Sequence, residues 1–105
     1  MRMKRLTLVA ALYLHPGREG EFAKFETAGA EIMRRYGGTI ERRIGVAPGS
    51  GENLPYEVHI LSFPDERSFQ GYRTDPDLEA LRDLRALAIR ETVLWFGTEL
   101  PAYGS

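Results

Sequence analysis

The fold is decided by one stretch near the middle of the chain, Pro-Tyr-Glu-Val-His-Ile-Leu-Ser-Phe-Pro at residues 55–64. Because proline cannot donate a hydrogen bond to a neighbouring strand, Pro55 suits the first position of a strand and Pro64 ends it. Asp65-Glu66 then opens a helix. The stretch therefore predicts one strand in the middle of the chain, with a helix and a strand on each side that can pack around it.

The residues at the start of the chain predict another strand and a long helix. Residues 6–14 form a short, nearly continuous apolar run, which is typical of a strand that is buried on both faces. From Arg18 to Tyr36 the apolar residues recur at helical spacing. Gly37-Gly38 provides the left-handed backbone that commonly ends a helix.

A weaker strand and a loop lie between this helix and the central stretch. Residues 39–46 alternate imperfectly, with Ile40, Ile44 and Val46 expected on one side of the strand and Arg43 on the other. Such a pattern favours a half-exposed strand at the edge of a sheet. Residues 47–54 are rich in glycine and are predicted to form the loop of a long hairpin.

The remaining chain predicts further helix and a last strand. Asp65 and Asp75 are both suited to cap a helix, and Pro76 fits the first helical position after the second of these caps. Apolar residues at helical spacing follow, and then residues 91–97 form an apolar strand. The members of that helical stripe are Leu78, Leu81, Leu84 and Ala88.

The predicted order of elements is βαββαβ, which indicates an α+β protein with the ferredoxin-like arrangement. We expect a four-stranded antiparallel sheet, with the first and third strands central and both helical segments on one face. The first and last strands are apolar on both faces, so the second face of the sheet would be left uncovered. A second copy of the chain is the simplest cover, and the sequence therefore predicts a homodimer.

Length and composition limit the remaining possibilities. The chain has 105 residues, a formal net charge of -1 and no cysteine. We interpret it as a single domain over residues 1–105, with a core at 6–97 and a tail at 98–105. The charge gives no general attraction to nucleic acid or to a membrane surface. The apolar run at residues 6–14 ends in His-Pro-Gly-Arg without a cleavage site, so we expect a cytoplasmic protein rather than a secreted one.

Four short segments carry a resemblance to a known superfamily. They are Tyr36-Gly37-Gly38, Phe63-Pro64-Asp65, Phe69-x-x-Tyr72-x-x-Asp75-Pro76-x-Leu78, and Leu81-Arg82 with Leu84-Arg85. With these segments the chain resembles the dimeric α+β barrel superfamily, and especially a group of uncharacterised bacterial proteins of about this length. The resemblance implies a dimer of ferredoxin-like subunits. It also implies a range of activities, since the superfamily includes cofactor-free monooxygenases, small-molecule isomerases, haem-handling enzymes and proteins with no assigned activity.

The central strand carries the candidate catalytic pair. His59 and Glu57 alternate along the strand, so they share a face with Leu61 and Phe63. A carboxylate beside an imidazole on a partly apolar face can serve as an acid–base pair, with His59 as the base and Glu57 orienting it. The competing interpretation is a histidine that is simply hydrogen-bonded in the core or at the dimer interface.

Three further side chains are candidates for ligand binding. Tyr13 and Trp95 lie in strands that should be neighbours, and either ring could line a pocket between helices and sheet or inside the dimer. Arg42 and Arg43 should point to opposite faces, and Arg43 could bind a carboxylate or an enolate. An ion pair between subunits, from Arg43 to Glu57, is the alternative.

A metal site is the weakest of the hypotheses. His15 follows the first strand and could approach Glu57 and His59 if the strand register allowed it. A histidine in a loop before Pro16 needs no such role, and we predict no metal site. The dinucleotide-binding, phosphate-loop and zinc-protease motifs are absent from the sequence, and we predict no cofactor.

The sequence thus supports two kinds of function. The first is a homodimer that binds a small, partly apolar organic molecule, with acid–base chemistry or cofactor-free oxygenase or isomerase chemistry at His59. The second is a non-catalytic dimerising module whose polar residues close an interface. The first predicts a cavity of roughly 300 Å³ or more beside His59, and the second predicts Glu57 paired with an arginine.

Overall fold

The structure is a computed structural model that describes residues 5–104. Residues 1–4, which belong to the charged N-terminal segment and to the predicted domain, and Ser105 at the end of the predicted tail lie outside the described residues. The strands are β1 (Leu6–Leu14), β2 (Thr39–Gly45), β3 (Glu57–Phe63) and β4 (Ile89–Gly97). The helices are α1 (Glu19–Arg34), α2 (Glu66–Arg73), α3 (Pro76–Glu79) and α4 (Arg82–Ala88).

The four strands form one antiparallel sheet in the order β2-β3-β1-β4. This confirms the ferredoxin-like arrangement and the central position of the first and third strands. It also confirms β2 as an edge strand. The second helical segment is divided into α2, α3 and α4, because Asp75 and Pro76 start a new helix only one residue after Thr74 caps the end of α2.

The helix ends follow the signals in the sequence. The Asp65 carboxylate accepts a hydrogen bond from the Ser68 N–H at 2.7 Å and so caps α2. The carboxylate of Asp75 does the same for the Asp77 N–H at 2.7 Å. At the end of α1, Gly37 has a φ of +74°, and the Gly38 N–H donates to the Met33 carbonyl at 3.1 Å. A left-handed residue is thus required at Gly37, as the sequence indicates.

The imperfect alternation of apolar and polar residues along β2 results from an irregularity in the strand. The register shifts between Ile40 and Arg42, so Glu41 is the extra residue of a β-bulge. Ile40 pairs with Leu61, whereas Ile44 pairs with Val58. The prediction that Ile40 and Ile44 share a side is therefore wrong, because the bulge moves the later residues to the opposite face.

All helices pack on one face of the sheet, and the core between them consists of two clusters. The cluster near the start of β1 contains Leu8, Met33, Leu61, Phe63 and Phe69. The cluster near the end of β1 contains Leu12, Phe22, Phe25, Ala88 and Ile89. Between them, the paired residues on the sheet are Ala10 and His59, a small side chain opposite a polar one. The sheet therefore offers no large apolar side chain at this point.

The other face of the sheet carries apolar side chains that no helix covers. Val9 pairs with Ile60 on one side and with Trp95 on the other, and all three point away from the helices. Trp95 is 55% exposed and Ile44, on β2, is 41% exposed. We call this surface, with Val58 and Val93, the open face. Within residues 5–104, no helix is long and apolar enough to cross a membrane.

Candidate functional site

The acid–base pair lies on the helix-facing side of the sheet. In the ladder between β1 and β3, His59 pairs with Ala10 and Glu57 pairs with Leu12, both of which face the helices. His59 is 2% exposed and Glu57 is 6% exposed. Two titratable side chains that are this deeply buried require hydrogen-bonding partners.

Those partners form a line of four charged or titratable groups. The Arg43 Nε and a terminal nitrogen of its guanidinium donate to the two Glu57 oxygens at 2.9 and 3.2 Å. Glu57 Oε2 lies 2.5 Å from His59 Nε2. On the other side of the ring, His59 Nδ1 lies 3.5 Å from Oε1 of Glu26, which comes from α1. The imidazole is thus held between two carboxylates.

The pKa values of the two carboxyl groups are shifted in opposite directions because their surroundings differ. Burial alone would raise the pKa of Glu57, but the hydrogen bonds from Arg43 and His59 outweigh it and hold that pKa below the usual value. Among residues 5–104, no arginine lies within ion-pair distance of Glu26. Burial raises the pKa of Glu26, and the charge of Glu57 adds to the increase, although attraction to His59 opposes it. Glu57 is therefore the more acidic of the two carboxyl groups.

When the His59 imidazole is neutral, an ionised Glu57 determines which of its two nitrogens carries the proton. A carboxylate can only accept a hydrogen bond, so the Nε2 atom beside it carries hydrogen. The Nδ1 atom is then left with a lone pair directed towards Glu26. In this tautomer His59 can accept a proton at Nδ1, and the resulting imidazolium is stabilised by the charge of Glu57.

A cavity of about 410 Å³ opens beside this lone pair, in the gap between the two core clusters. His59 and Glu26 supply polar groups to its wall, and Tyr72 adds a phenol. Most of its other walls are apolar side chains of both clusters, and its opening lies near α2 and α4. The apolar lining consists of Ala10, Leu12, Phe25, Met33, Leu61, Phe69, Leu78, Ile89 and Leu94. Apolar walls with a few converging polar groups are typical of small-molecule sites.

Two other hollows are less suited to chemistry. A hollow of about 440 Å³ lies at one end of the open face, where the Arg5 guanidinium donates to Ser62 at 3.0 Å and Ser62 donates to Glu41 at 2.7 Å. Its described lining contains no histidine, and these three polar side chains are hydrogen-bonded to one another. A smaller hollow of about 260 Å³ lies on the far side of α1 and shares Glu26 and His59 with the main cavity.

The structure separates the predicted ligand-binding residues from the main cavity. Tyr13 pairs with Glu91, and Trp95 pairs with Val9, so both rings lie on the open face. The Arg90 guanidinium lies 5.3 Å from the centre of the Tyr13 ring. Neither Tyr13 nor Trp95 contributes to the wall of the main cavity. Their face was undetermined in the sequence because apolar residues occur on both sides of β1 and β4.

Arg43 forms an ion pair with Glu57. Its side chain is 67% exposed, and its guanidinium binds Glu57 of the same chain in a two-point contact. The expected partner is therefore correct, but the bond is made within the chain and not between subunits. Arg42 points to the open face beside Ile60, as expected for its neighbour position.

His15 is distant from the acid–base pair. Glu57 lies opposite Leu12, three residues before His15, and the His15 N–H donates to the Ala88 carbonyl at 2.9 Å. His15 lines a separate surface hollow with Tyr13 and Tyr56. Across residues 5–104, no group of three histidine or acidic side chains has the geometry of a metal site.

Sequence reasoning missed Glu26 and Tyr72, although their spacing contains a signal. Glu26 is four residues after Phe22 and three before Gly29, so it falls on the buried side of α1. Tyr72 is three residues after Phe69 on α2. A carboxylate on the apolar side of a helix is uncommon enough to suggest a functional residue.

Comparison with known proteins gives similarity of structure only. No family model matches the sequence, and no curated protein matches it. A protein of unknown function from Rhodopseudomonas palustris is similar in structure, with a TM-score of 0.80 and 16% identity over 96% of this chain and 86% of that one. A DABB (dimeric α+β barrel) family protein from Mesorhizobium loti has a TM-score of 0.67 and 16% identity, over 92% of this chain and 98% of that one.

A third similar structure belongs to a protein with a described activity. SnoaB from Streptomyces nogalater, a cofactor-independent oxygenase, has a TM-score of 0.72 and 16% identity, over 97% of this chain and 99% of that one. At such identities the likeness extends to the fold and not to the activity. The chain therefore has the ferredoxin-like fold of the dimeric α+β barrel proteins, and its resemblance to them is confirmed at the level of the fold.

Proposed function

We propose that this protein is a cytoplasmic homodimer whose subunits each bind a small, partly apolar organic molecule in the cavity beside His59 and transfer a proton at it. One observation carries the proposal. His59 is buried between an ionised carboxylate and a carboxylate of raised pKa, at the wall of a cavity of about 410 Å³. Carboxyl groups whose surroundings separate their pKa values are a common feature of acid–base sites.

The proposed step is the removal of an acidic proton from the bound molecule. A C–H bond next to a carbonyl breaks, and the proton forms a bond with His59 Nδ1. The electron pair stays on the substrate as an enolate. Glu57 and Arg43 stabilise the imidazolium through the opposite nitrogen, so they act as positioning residues. Return of the proton to a different carbon would complete an isomerisation.

Cofactor-free oxygenation is the second outcome of the same step. An enolate can give an electron to dioxygen, which then bonds to the carbon that lost its proton. The oxygenase activity described for SnoaB, which shares this fold, supports this possibility. Both outcomes need the same base, and neither requires a resident cofactor.

The non-catalytic alternative also has an observation in its favour. Glu57 is paired with an arginine, as that alternative predicts. The pair by itself would explain a buried carboxylate. It does not explain the second carboxylate, Glu26, or the cavity beside His59, and the proton-transfer function is therefore preferred.

An exchange experiment tests the proposal with 2-tetralone, an apolar ketone that has acidic protons beside its carbonyl. In deuterated buffer, nuclear magnetic resonance would follow the loss of these protons in the presence of the protein. We expect exchange faster than in buffer alone, and a decrease of about 100-fold or more in the protein-dependent rate for His59→Gln.

The control is His15→Gln, which alters the other histidine of the chain. Because His15 lies outside the cavity, this variant should exchange tetralone at the rate of the unaltered protein. Equal rates for the His59 and His15 variants would reject His59 as the base. Exchange no faster than in buffer would favour the non-catalytic module.

A further inference from the structure

Two arginines at the opening of the main cavity have no acidic partner. Arg73 on α2 and Arg85 on α4 both line the cavity while their side chains are exposed. Among residues 5–104, neither has a carboxylate within ion-pair distance. By contrast, Arg82, also on α4, pairs with Glu79 at 2.9 Å. The cavity therefore opens between two cations that no carboxylate of residues 5–104 binds directly, although Arg85 acts at longer range on Glu26 in the cavity wall.

Each of these guanidiniums is held by a contact that leaves most of its donors unused. Arg85 donates one hydrogen bond to the Thr92 hydroxyl at 2.8 Å. The Arg73 guanidinium lies 5.5 Å from the centre of the Phe69 ring, a distance typical of a cation–π contact. A guanidinium has five N–H donors in a planar fork that matches a carboxylate. Both side chains are thus placed at the opening with free donors.

Tyr72 adds a third donor inside the cavity. Burial raises the pKa of Tyr72 to about 12, and the nearby charge of Glu26 contributes to the increase, so the phenol keeps its proton at neutral pH. Within the described part of the chain, its hydroxyl has no hydrogen-bond partner. Gly29 of α1 lies against it, since a side-chain carbon at Gly29 would come within 3.7 Å of the hydroxyl oxygen. Because glycine has no side chain, space is left around the Tyr72 hydroxyl.

We propose that the ligand of this cavity is an organic anion with an aromatic or similarly apolar body and a carboxylate that binds at Arg73 and Arg85. This inference rests on the proposed function, because it concerns the ligand of the same cavity. The apolar body would fill the space between the two core clusters. The carboxylate would stay at the opening, where part of it remains hydrated and its desolvation cost is small.

The arrangement also limits repulsion inside the cavity. Glu26 would repel an anion if it were ionised, but its burial favours the protonated form. Glu57 is neutralised by Arg43. The cations at the opening are therefore the dominant charges that an entering ligand meets. They would orient the ligand with its carboxylate outwards and its apolar, reactive part towards His59.

A matched pair of probes tests the charge preference. 2-Naphthoate and 2-naphthamide have the same ring system, but only the first is an anion at pH 7. In calorimetric titrations at low salt, we expect 2-naphthoate to bind about tenfold more tightly or better, as hydrogen bonds to a charged group allow. Added salt should reduce this advantage, since the arginines are near solvent.

Arginine variants show which residues cause the preference for 2-naphthoate. Arg85→Met should remove most of the preference for 2-naphthoate and leave the affinity for 2-naphthamide unchanged. The matched control is Arg82→Met, on the same helix but outside the cavity, which should keep the full preference. Arg73→Met provides a second, independent variant with the same expectation as Arg85→Met. Circular dichroism would check that each variant is folded.

The possible failures are distinguishable. If both probes bind equally well, or if neither arginine variant changes the preference, the anion proposal is wrong while binding in the cavity stands. If neither probe binds and 2-tetralone is not exchanged either, the proposed small-molecule function fails together with it. Retained exchange of 2-tetralone at His59 would show that the site works without any preference for anions.

Discussion

At the scale of single residues, the site depends on two glutamates that the fold treats in opposite ways. Glu57 is buried but bound by Arg43 and His59, and its pKa is lowered. Glu26 is half-buried and, within residues 5–104, has no arginine or lysine within ion-pair distance, and burial raises its pKa. The sequence presents both as ordinary acidic residues. Their difference arises because Arg43, which pairs across the ladder with His59, hydrogen-bonds Glu57 and does not hydrogen-bond Glu26 within the described residues.

This contrast predicts opposite effects of pH on stability. A lowered pKa in the folded state stabilises the fold above the ordinary value of 4.5, and that contribution is lost as the pH falls through the folded pKa. A raised pKa in the folded state stabilises the fold below the ordinary value of 4.5. That contribution is lost as the pH rises through the folded pKa. Glu57 therefore stabilises the protein at neutral pH, whereas ionisation of Glu26 destabilises it.

Urea unfolding of Glu57→Gln and Glu26→Gln at pH 4 and pH 7.5 would measure these effects. At pH 7.5, Glu57→Gln should lower the free energy of unfolding by about 1.5–3 kcal/mol, since it removes the charge that accepts hydrogen bonds from Arg43 and His59. Relative to the unaltered protein, Glu26→Gln should be more stable at pH 7.5 than at pH 4. The same sign of pH dependence for both variants would contradict the different environments of the two carboxylates.

At the scale of elements, the turn between α1 and β2 fixes how the helix layer meets the sheet. Gly38 lies where two core side chains approach the backbone. A side-chain carbon there would come within 2.4 Å of the Phe63 ring and 2.5 Å of the Met33 side chain. Close contact of the turn with the core explains why glycine is needed, although its φ is not in the left-handed region.

Replacement of Gly38 by alanine should therefore destabilise the fold. We expect a loss of about 1–3 kcal/mol in the free energy of unfolding, because the added methyl group forces Phe63 or Met33 to move within a packed core. Gly45→Ala, at the other end of β2, is the control, since nothing lies within 4 Å of its added carbon. Thermal unfolding would compare them. Equal melting temperatures for the two variants would contradict the close packing at Gly38.

At the scale of the whole molecule, the main feature is the open face, which the described helices do not cover. Its exposed Trp95 and Ile44 and the neighbouring valines form an apolar surface on one side of the sheet. Such surfaces on soluble proteins commonly mark an interaction site. The proposed homodimer would cover this face with the same face of a second copy, which would also bury Tyr13.

Sedimentation velocity would test the proposed dimer. The unaltered protein should sediment as a dimer at micromolar concentration. Trp95→Glu should weaken the dimer by about 30-fold or more, as expected for the loss of a large aromatic side chain from an interface. Leu87→Glu is the control, because Leu87 is similarly exposed but lies on α4, in the helix layer. A monomer at all concentrations would reject the dimer.

Much of the fold could be predicted because its signals are local. The prolines around residues 55–64, the capping residues Asp65 and Asp75, and the left-handed Gly37 each act on the backbone beside them. The period-two pattern also placed Glu57 and His59 on one face of their strand. These features depend on neighbouring residues, so the sequence by itself determined the order of elements, the ferredoxin-like arrangement and the shared face of Glu57 and His59.

Other features were decided only by the tertiary structure. The bulge at Glu41 reverses the faces to which the later side chains of β2 point. The strand register places Tyr13 and Trp95 away from the cavity. Glu26, on α1, contacts His59 although the two residues are more than thirty positions apart along the chain. Such contacts depend on how separate elements pack. Packing sets the burial and the neighbouring charges that shift a pKa, and it sets the shape of a cavity. No local pattern in the sequence contains that information.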